Sequence, residues 1–289
     1  MNKSGSESDA EEAYARAVSE AVGRALAEDL GPDGDVTAAL VPPEVTAHFA
    51  LRVRHGGVLA GRACATEAFQ RVDPGLKLVW HAVDGSEISA GDTVLEVTGH
   101  LRPILTAERT ALNLLGRLSG IATLTRAYVR EAQGKARIRD TRKTTPGLRA
   151  LEKAAVRAGG GANHRGSLSD GILIKDNHLI HLSIADAVAR ARRRWPGQLV
   201  EVECDTADQV SEAVEAGADM ILVDNMTPTE VAAAVHLVAG RCPIEVSGGV
   251  TLATVAAYAE AGAAFISVGA LTHSAPALDI GLDIAAGGG

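Results

Sequence analysis

Glu215-Ala-Gly-Ala-Asp-Met-Ile-Leu-Val223 returns forty-five residues later as Glu260-Ala-Gly-Ala-Ala-Phe-Ile-Ser-Val268. Each copy reads as the end of a helix, a glycine cap and a short apolar strand, so the interval corresponds to two strand–helix units. Further apolar runs of the same kind lie at 136–141, 171–175, 199–204 and 244–247, with the repeat supplying 220–224 and 265–269. Helix starts stand between them. Thr206-Ala-Asp-Gln209 and Thr227-Pro-Thr-Glu230 are capping boxes, the second with proline at the first helical position. Short strands without polar alternation, separated by helices, imply a parallel sheet covered on both faces. Six strands are visible, so the expected form is an open, roughly six-stranded relative of the eight-stranded α/β barrel.

Upstream the rhythm differs. Residues 45–53 alternate apolar and polar as a half-buried strand does, and 76–83 and 93–98 read as further strands between the turns Asp84-Gly85 and Gly91-Asp92. A short helix is expected over 65–72 and a long helical stretch over 106–118 and 121–133, stopped by Gly134. The chain therefore divides into an N-terminal α+β, sandwich-like domain over 13–134 and an α/β barrel catalytic domain over 135–274. Residues 275–289 are expected to pack back on the first domain, and 1–12 to form a disordered polar tail.

Composition narrows the function. The 289 residues are 46% hydrophobic and 22% charged, which suits a globular protein with a large core. Aromatics are 3%, leaving no stacking platform for single-stranded nucleic acid. No apolar run approaches the roughly 20 residues that span a bilayer. The first dozen residues carry neither a signal core nor an Arg-rich transit pattern. Three cysteines, Cys64, Cys204 and Cys242, are odd in number and without metal spacing, which points to a reducing, cytoplasmic compartment. The net charge is −8, yet residues 137–175 hold nine Lys or Arg against three acids, a local +6 that leaves −14 elsewhere. A basic island in an acidic protein focuses positive potential on a small polyanion rather than on a nucleic-acid backbone.

In parallel barrels the reactive side chains stand at the carboxyl ends of strands. Here those ends carry Arg142-Lys143, Lys175, Glu203, Asp224, Ser247-Gly248-Gly249 and Gly269-Ala270. Ser247-Gly-Gly-Val-Thr251 joins a strand to a helix expected near Leu252, where free N–H groups and glycine seat a phosphate; alone, the glycine pair would be a tight turn. Arg142, Lys143, Arg165 and Lys175 suit carboxylate and phosphate recognition. Glu203 and Asp224 suit ribose hydroxyls or Mg2+, and a ring of structural salt bridges is the alternative. Arg149, Lys153 and Arg157 at helical spacing read as a solvated face. His178 and His181 read as loop histidines, since no further ligand pair joins them. Cys204, next to Glu203, points to the opposite side of its strand.

Three stretches, Asp140-Thr-Arg-Lys-Thr-Thr-Pro-Gly-Leu-Arg149, Gly159-Gly-Gly-Ala-Asn-His-Arg165 and Ile172-Leu-Ile-Lys-Asp-Asn-His178, closely resemble the quinolinate phosphoribosyltransferase family. The likeness runs on through Glu201-Val-Glu203, Leu222-Val-Asp-Asn225, Glu245-Val-Ser-Gly-Gly249 and Ile266-Ser-Val-Gly-Ala-Leu-Thr272, and starts upstream at Glu28-Asp-Leu-Gly, Asp35-Val-Thr37 and Glu108-Arg-Thr-Ala-Leu-Asn113. It covers the chain beyond the first dozen residues, with small departures such as Gly281. The resemblance implies a homodimer or dimer-based hexamer whose sites are shared between subunits. It implies that Arg142, Lys143, Thr144, His164, Arg165 and Lys175 bind quinolinate, with Arg109 entering from the partner. It implies that Glu203 and Asp224 meet ribose and Mg2+–pyrophosphate, and that Ser247, Gly248, Gly249, Val268, Gly269 and Ala270 meet the 5-phosphate. Lys143, Lys175, Glu203 and Asp224 are the expected catalytic residues.

The implied reaction joins phosphoribosyl pyrophosphate to quinolinate and releases pyrophosphate and CO2, giving nicotinate mononucleotide for NAD biosynthesis. Orientation and electrostatics carry it, with no covalent nucleophile, because no Ser or Cys in these stretches sits beside a base. Rival readings are a same-fold transferase acting on another nitrogenous acid, and a non-catalytic phosphate-binding regulator. No nucleic-acid or membrane partner is expected.

Overall fold

A computed structural model describes residues 3–285, with side chains from residue 9 onward. The elements run α1 (Lys3–Leu30), β1 (Thr46–Val53), β2 (Gly57–Val58), α2 (Arg62–Val72), β3 (Lys77–Trp80), β4 (Glu87–Ile88), β5 (Thr93–His100) and α3 (Leu101–Glu131). There follow β6 (Arg137–Arg139), α4 (Arg149–Ala158), β7 (Ile172–Ile174), α5 (Ile184–Arg194), β8 (Val200–Cys204), α6 (Ala207–Glu215) and β9 (Met220–Asp224). The last are α7 (Pro228–Val238), β10 (Ile244–Ser247), α8 (Val255–Glu260), β11 (Phe265–Ser267), α9 (Ala270–His273) and β12 (Ile280–Ile284). Two compact units result. Residues up to Leu124, Thr144–Gly160 and those from Ser274 onward form the first; Thr125–Lys143 and Gly161–His273 form the second. The division thus falls within α3, ten residues before the expected boundary, and α4 belongs to the first unit.

The first unit is built on an antiparallel sheet ordered β12-β1-β5-β3. Leu51 stands opposite Leu95 on one side and Leu282 on the other, and Leu51, Leu95 and Val97 are wholly buried. Alternation along each strand thus produces one apolar face. Helix α1 buries Val18, Ala21, Val22 and Leu26, the i, i+3, i+4, i+8 stripe of an amphipathic helix, and packs on α2. It begins at Lys3, so the expected tail is helical over 3–12, while residues 1–2 lie outside the described residues. The reason is local: from Asp9 to Val22 no Gly or Pro interrupts a run rich in Ala and Glu, and extending an existing helix adds a hydrogen bond per residue.

The long helical stretch expected over 106–118 and 121–133 is one helix, α3, which runs on through residues 119 and 120. Gly120 does not break it, because that glycine is there for close approach: an added Cβ would lie 1.9 Å from the Pro276 carbonyl oxygen. This fixes residues 276–278 against α3 in the first unit. The departure at Gly281 also has a neighbour. A Cβ there would be 2.4 Å from Arg54 Nη2, whose guanidinium makes a two-pronged pair with Asp283 at 2.6 and 2.9 Å.

The second unit is a six-stranded parallel sheet in the order β6-β11-β10-β9-β8-β7. On β8, Val200, Val202 and Cys204 are wholly buried toward the helices, leaving Glu201 and Glu203 on the opposite face. Both capping boxes form: Thr206 Oγ1 accepts from Gln209 N–H at 3.3 Å, and Thr227 N–H donates to Glu230 at 2.7 Å. The sheet is curled. Ala162 pairs beside β6 at one edge, yet His164, two residues on, reaches Glu201 of β8 near the other edge at 3.0 Å. Side chains on the concave face therefore meet inside an open barrel.

Candidate active site

All six strands point the same way, so their carboxyl ends define one mouth. Lys175 leaves β7, and its Nζ donates to Glu203 Oε2 at the end of β8. His178, in a tight turn after Lys175, accepts the Lys175 N–H on Nδ1 at 3.0 Å and fixes that main chain. Asp224 closes β9 in register with Ser247 on β10, and its Oδ2 accepts from Asn225 Nδ2 at 2.6 Å. Asn225 adopts a left-handed conformation (φ 57°), as do Gly248 (φ 89°) and Gly249 (φ 62°), so the chain doubles back at adjacent strand ends. Gly248 is closed off by Asn225, whereas the Cβ direction of Gly249 is open.

The expected helix near Leu252 starts at Val255 and is six residues long, after a turn in which Thr254 Oγ1 accepts from Thr251 N–H at 3.0 Å. A phosphate at Ser247–Gly249 would thus rely on main-chain N–H groups around the glycines more than on a helix dipole. Beside it, Lys143 runs past Gly269: its Cδ stands 3.1 Å from where a Cβ on that glycine would be. The Lys143 carbonyl accepts from Thr272 Oγ1 at 2.8 Å and its N–H donates to Thr141 Oγ1 at 3.0 Å. Val268 N–H donates to the Arg139 carbonyl at 2.9 Å, which sets Gly269 and Ala270 next to the end of β6.

Arg165 is half-buried. Burial and the nearby Arg142 guanidinium lower its pKa, against the opposing pull of Glu201, Asp170 and Glu203. Two guanidiniums near enough to repel are what a receptor for a dianion requires.

Beneath the mouth lies a second polar layer that strand-end reasoning did not identify. Glu245 of β10 is wholly buried; Arg139 Nη1 donates to its Oε2 at 2.5 Å and Ser267 Oγ to its Oε1 at 2.5 Å. The Arg139 guanidinium also stacks 3.5 Å from the Phe265 ring centre. Burial, then the neighbouring Glu201, push the Glu245 carboxyl up, while His164, Arg139 and Ser267 oppose the rise. His164 turns toward this layer, with Nε2 at 3.0 Å from Glu201 and 3.4 Å from Glu245. Its main-chain N–H is held by the fully buried Asp140 at 2.9 Å.

One imidazole and two carboxylates within 4.8 Å of one another could hold a cation. The hydrogen bonding argues otherwise. Arg165 N–H donates to His164 Nδ1 at 2.7 Å, which assigns the proton to Nε2 and leaves no lone pair facing the carboxylates.

Two expected residues lie in the first unit. Arg109 is on α3 with its side chain 63% exposed. Thr144 Oγ1 accepts from Arg149 Nε at 2.9 Å. The supposed solvated face of α4 is corrected: Arg149 is half-buried and Lys153 is 6% exposed, leaving Arg157 on the surface. The neighbouring Glu152 is wholly buried as well, and accepts from Arg117 at 2.9 Å and from Thr145 Oγ1 at 2.7 Å.

Comparison with known proteins agrees with this architecture. The family model described as "Quinolinate phosphoribosyl transferase, C-terminal domain" matches residues 121–283, and the model of the N-terminal domain matches 35–119. The chain is 43% identical over 261 residues to the probable nicotinate-nucleotide pyrophosphorylase (carboxylating) of Bacillus subtilis, covering 89% of this chain and 90% of that one. It is 42% identical over 276 residues to the nicotinate-nucleotide pyrophosphorylase (carboxylating) of Mycobacterium leprae, covering 93% and 97%. The solved nicotinate-nucleotide pyrophosphorylase of Francisella tularensis superposes with a TM-score of 0.90 at 37% identity, over 94% of this chain and 97% of that one.

Proposed function

The chain belongs to the quinolinate phosphoribosyl transferase family, and from that premise we propose how its barrel mouth carries out the family's reaction. The enzyme transfers a phosphoribosyl group to quinolinate with decarboxylation, a step of de novo NAD biosynthesis. The observation that supports the site most directly is the Lys175–Glu203 ion pair, set beside Asp224 and the Ser247–Gly249 turn on consecutive strand ends.

In this reading Arg142, Arg165 and Lys175 hold the two quinolinate carboxylates. The ring nitrogen is thereby aimed at the anomeric carbon of phosphoribosyl pyrophosphate. The 5-phosphate sits against the main chain of Ser247, Gly248 and Gly249 and of Val268, Gly269 and Ala270. The N–C1 bond forms as the C1–oxygen bond to pyrophosphate breaks, and Lys143, lying along Gly269, offsets charge on the departing group. Glu203 and Asp224 face the ribose. The 2-carboxylate then departs as CO2, leaving its electron pair on C2 as a carbanion stabilised by the adjacent cationic nitrogen, and a solvent proton is added at C2. Lys175 keeps Glu203 in place throughout.

Glu203 and Asp224 are hard oxygen donors on adjacent strands, which fits Mg2+ held with pyrophosphate. When bound, the ion would neutralise charge on the pyrophosphate. Because Glu203 is already paired with Lys175, Asp224 is the stronger candidate for that contact. Arg109, exposed on α3, is assigned to the site of a partner subunit in a homodimer or dimer-based hexamer. Among the described residues no helix is long and apolar enough to cross a membrane, and the three free cysteines suit a cytoplasmic setting.

Arg142→Ala tests the assignment: quinolinate-dependent CO2 release should be abolished while inorganic phosphate binding persists. Unchanged CO2 release would overturn it. Mixing inactive Arg109→Ala and Lys143→Ala subunits tests sharing, since hybrid dimers should regain partial activity; no recovery would make each subunit self-sufficient.

A further inference from the structure

Glu245 accepts from two separate parts of the second unit, Arg139 of β6 and Ser267 of β11, and the His164 imidazole, hydrogen-bonded to Glu201, stands 3.4 Å from it. A wholly buried carboxylate held this way resists movement, because any shift loses a charge-assisted hydrogen bond in a place water does not reach. His164 is the outward link. Its Nε2–H faces Glu245 and Glu201, its Nδ1 holds the Arg165 main-chain N–H at 2.7 Å, and its own N–H is tied to Asp140. The contacts therefore run from Glu245 through one imidazole to the backbone that carries the Arg165 guanidinium. Glu245 also lies two residues before Ser247 on β10, one pleat below the turn assigned to the 5-phosphate.

We propose that Glu245 is a positioning residue for quinolinate: through His164 it sets the Arg165 main chain, and so the angle of the carboxylate receptor formed with Arg142. This rests on reading Arg142 and Arg165 as that receptor. A carboxylate can accept from Arg139 and Ser267 on its two oxygens while its charge faces the His164 Nε2–H at 3.4 Å. Glutamine has the same shape but only one acceptor oxygen, and it turns an NH2 toward a group that is already a donor. Charge and hydrogen-bond polarity are lost while volume is kept. The disturbance should therefore pass to the imidazole and on to Arg165, leaving the Gly248–Gly249 and Gly269 main chain less affected.

In steady-state kinetics of the full-length enzyme, Glu245→Gln should raise KM for quinolinate about tenfold, leave KM for phosphoribosyl pyrophosphate within about twofold, and lower kcat less than KM rises. Combined with Arg165→Lys, the loss should be smaller than the product of the single losses, since both act on one contact. Ser267→Ala, which deletes one donor and leaves the charge, should give a milder rise of about threefold confined to quinolinate, and it carries the test if Glu245→Gln does not fold. A folded Glu245→Gln enzyme with unchanged quinolinate KM, equal rises for both substrates, or strictly multiplicative losses with Arg165→Lys would each overturn the proposal. Absence of quinolinate turnover by the wild-type enzyme would overturn it together with the functional reading. Normal wild-type turnover with an indifferent Glu245→Gln would overturn the positioning role alone.

Discussion

Gly248 and Asn225 are in mutual contact at adjacent strand ends: a Cβ on Gly248 would lie 2.2 Å from Asn225 Oδ1 and 2.8 Å from its main-chain nitrogen. The side-chain clash could relax, but the backbone contact cannot, and the φ of 89° adds strain for any L residue. Gly248→Ala should therefore destabilise the enzyme by about 2–3 kcal/mol and weaken phosphoribosyl pyrophosphate more than quinolinate. Thermal unfolding and the two KM values check this. A variant with wild-type Tm and KM would remove the turn from the phosphate seat.

Lys175 and Glu203 should behave as a unit. Lys175→Met keeps the volume but leaves the largely buried Glu203 carboxylate without its cation. The expected fall in kcat/KM is about 10³-fold, and Glu203→Gln should fall comparably. The double variant should be no worse than Lys175→Met alone, whereas two independent roles would multiply the losses. Quinolinate-dependent CO2 release is the assay.

Asp35 provides an acid-sensitive anchor in the first unit. Its Oδ1 accepts from Ala38 N–H at 2.8 Å and Thr37 N–H at 3.1 Å, and its Oδ2 accepts from Thr106 Oγ1 at 2.9 Å. The Ala38 N–H above all, helped by Thr106 and Thr37, holds its carboxyl below the ordinary aspartate range. Because the folded pKa is depressed, the contribution is present above the unfolded pKa of about 4 and is lost as pH falls through the folded value. Asp35→Ala should lower Tm at pH 7, and the gap from wild type should narrow as pH falls below the unfolded pKa and through the depressed folded one. A gap constant with pH would contradict it.

Thiol reactivity should separate the cysteines. Cys64 and Cys204 are wholly buried, and burial first, then nearby acidic groups, pushes each thiol up to about 12. Cys242 is half-buried and raised less. At pH 8 a thiol reagent should label Cys242 alone in the native enzyme and all three after denaturation. Labelling of Cys204 in the folded enzyme would show that β8 opens.

The sequence made the parallel sheet legible because its signals are local. Strands 220–224 and 244–247 have the bounds that the apolar runs suggest, and the Thr206 and Thr227 boxes close as written. What stayed hidden depends on residues far apart in the chain. The break left at 119–120 in the expected helical stretch has no local reason, and Gly120 is explained only when Pro276 is laid against it. Lys153 reads as solvated, yet it is buried, as is its neighbour Glu152, which Arg117 meets from α3. The inner layer of Arg139, Glu201, Glu245 and Ser267, toward which the expected site residue His164 turns, escaped because charges were sought only at strand ends. Its signal was present all the same: Glu201 precedes Glu203, and Glu245 precedes Ser247, by the two-residue period that places them on one face.

The outer strand of the antiparallel sheet, β12, lies beyond every strand of the parallel one, and its partner is β1. During synthesis, then, a nascent chain halted on the ribosome after His273 holds every residue of the second unit, while the first still offers β1 as an unpaired edge. Its sheet can be sealed only when residues 280–284 have been made and have cleared the exit tunnel. Removing residues 280–284 should therefore harm the sheet whose other strands were translated first.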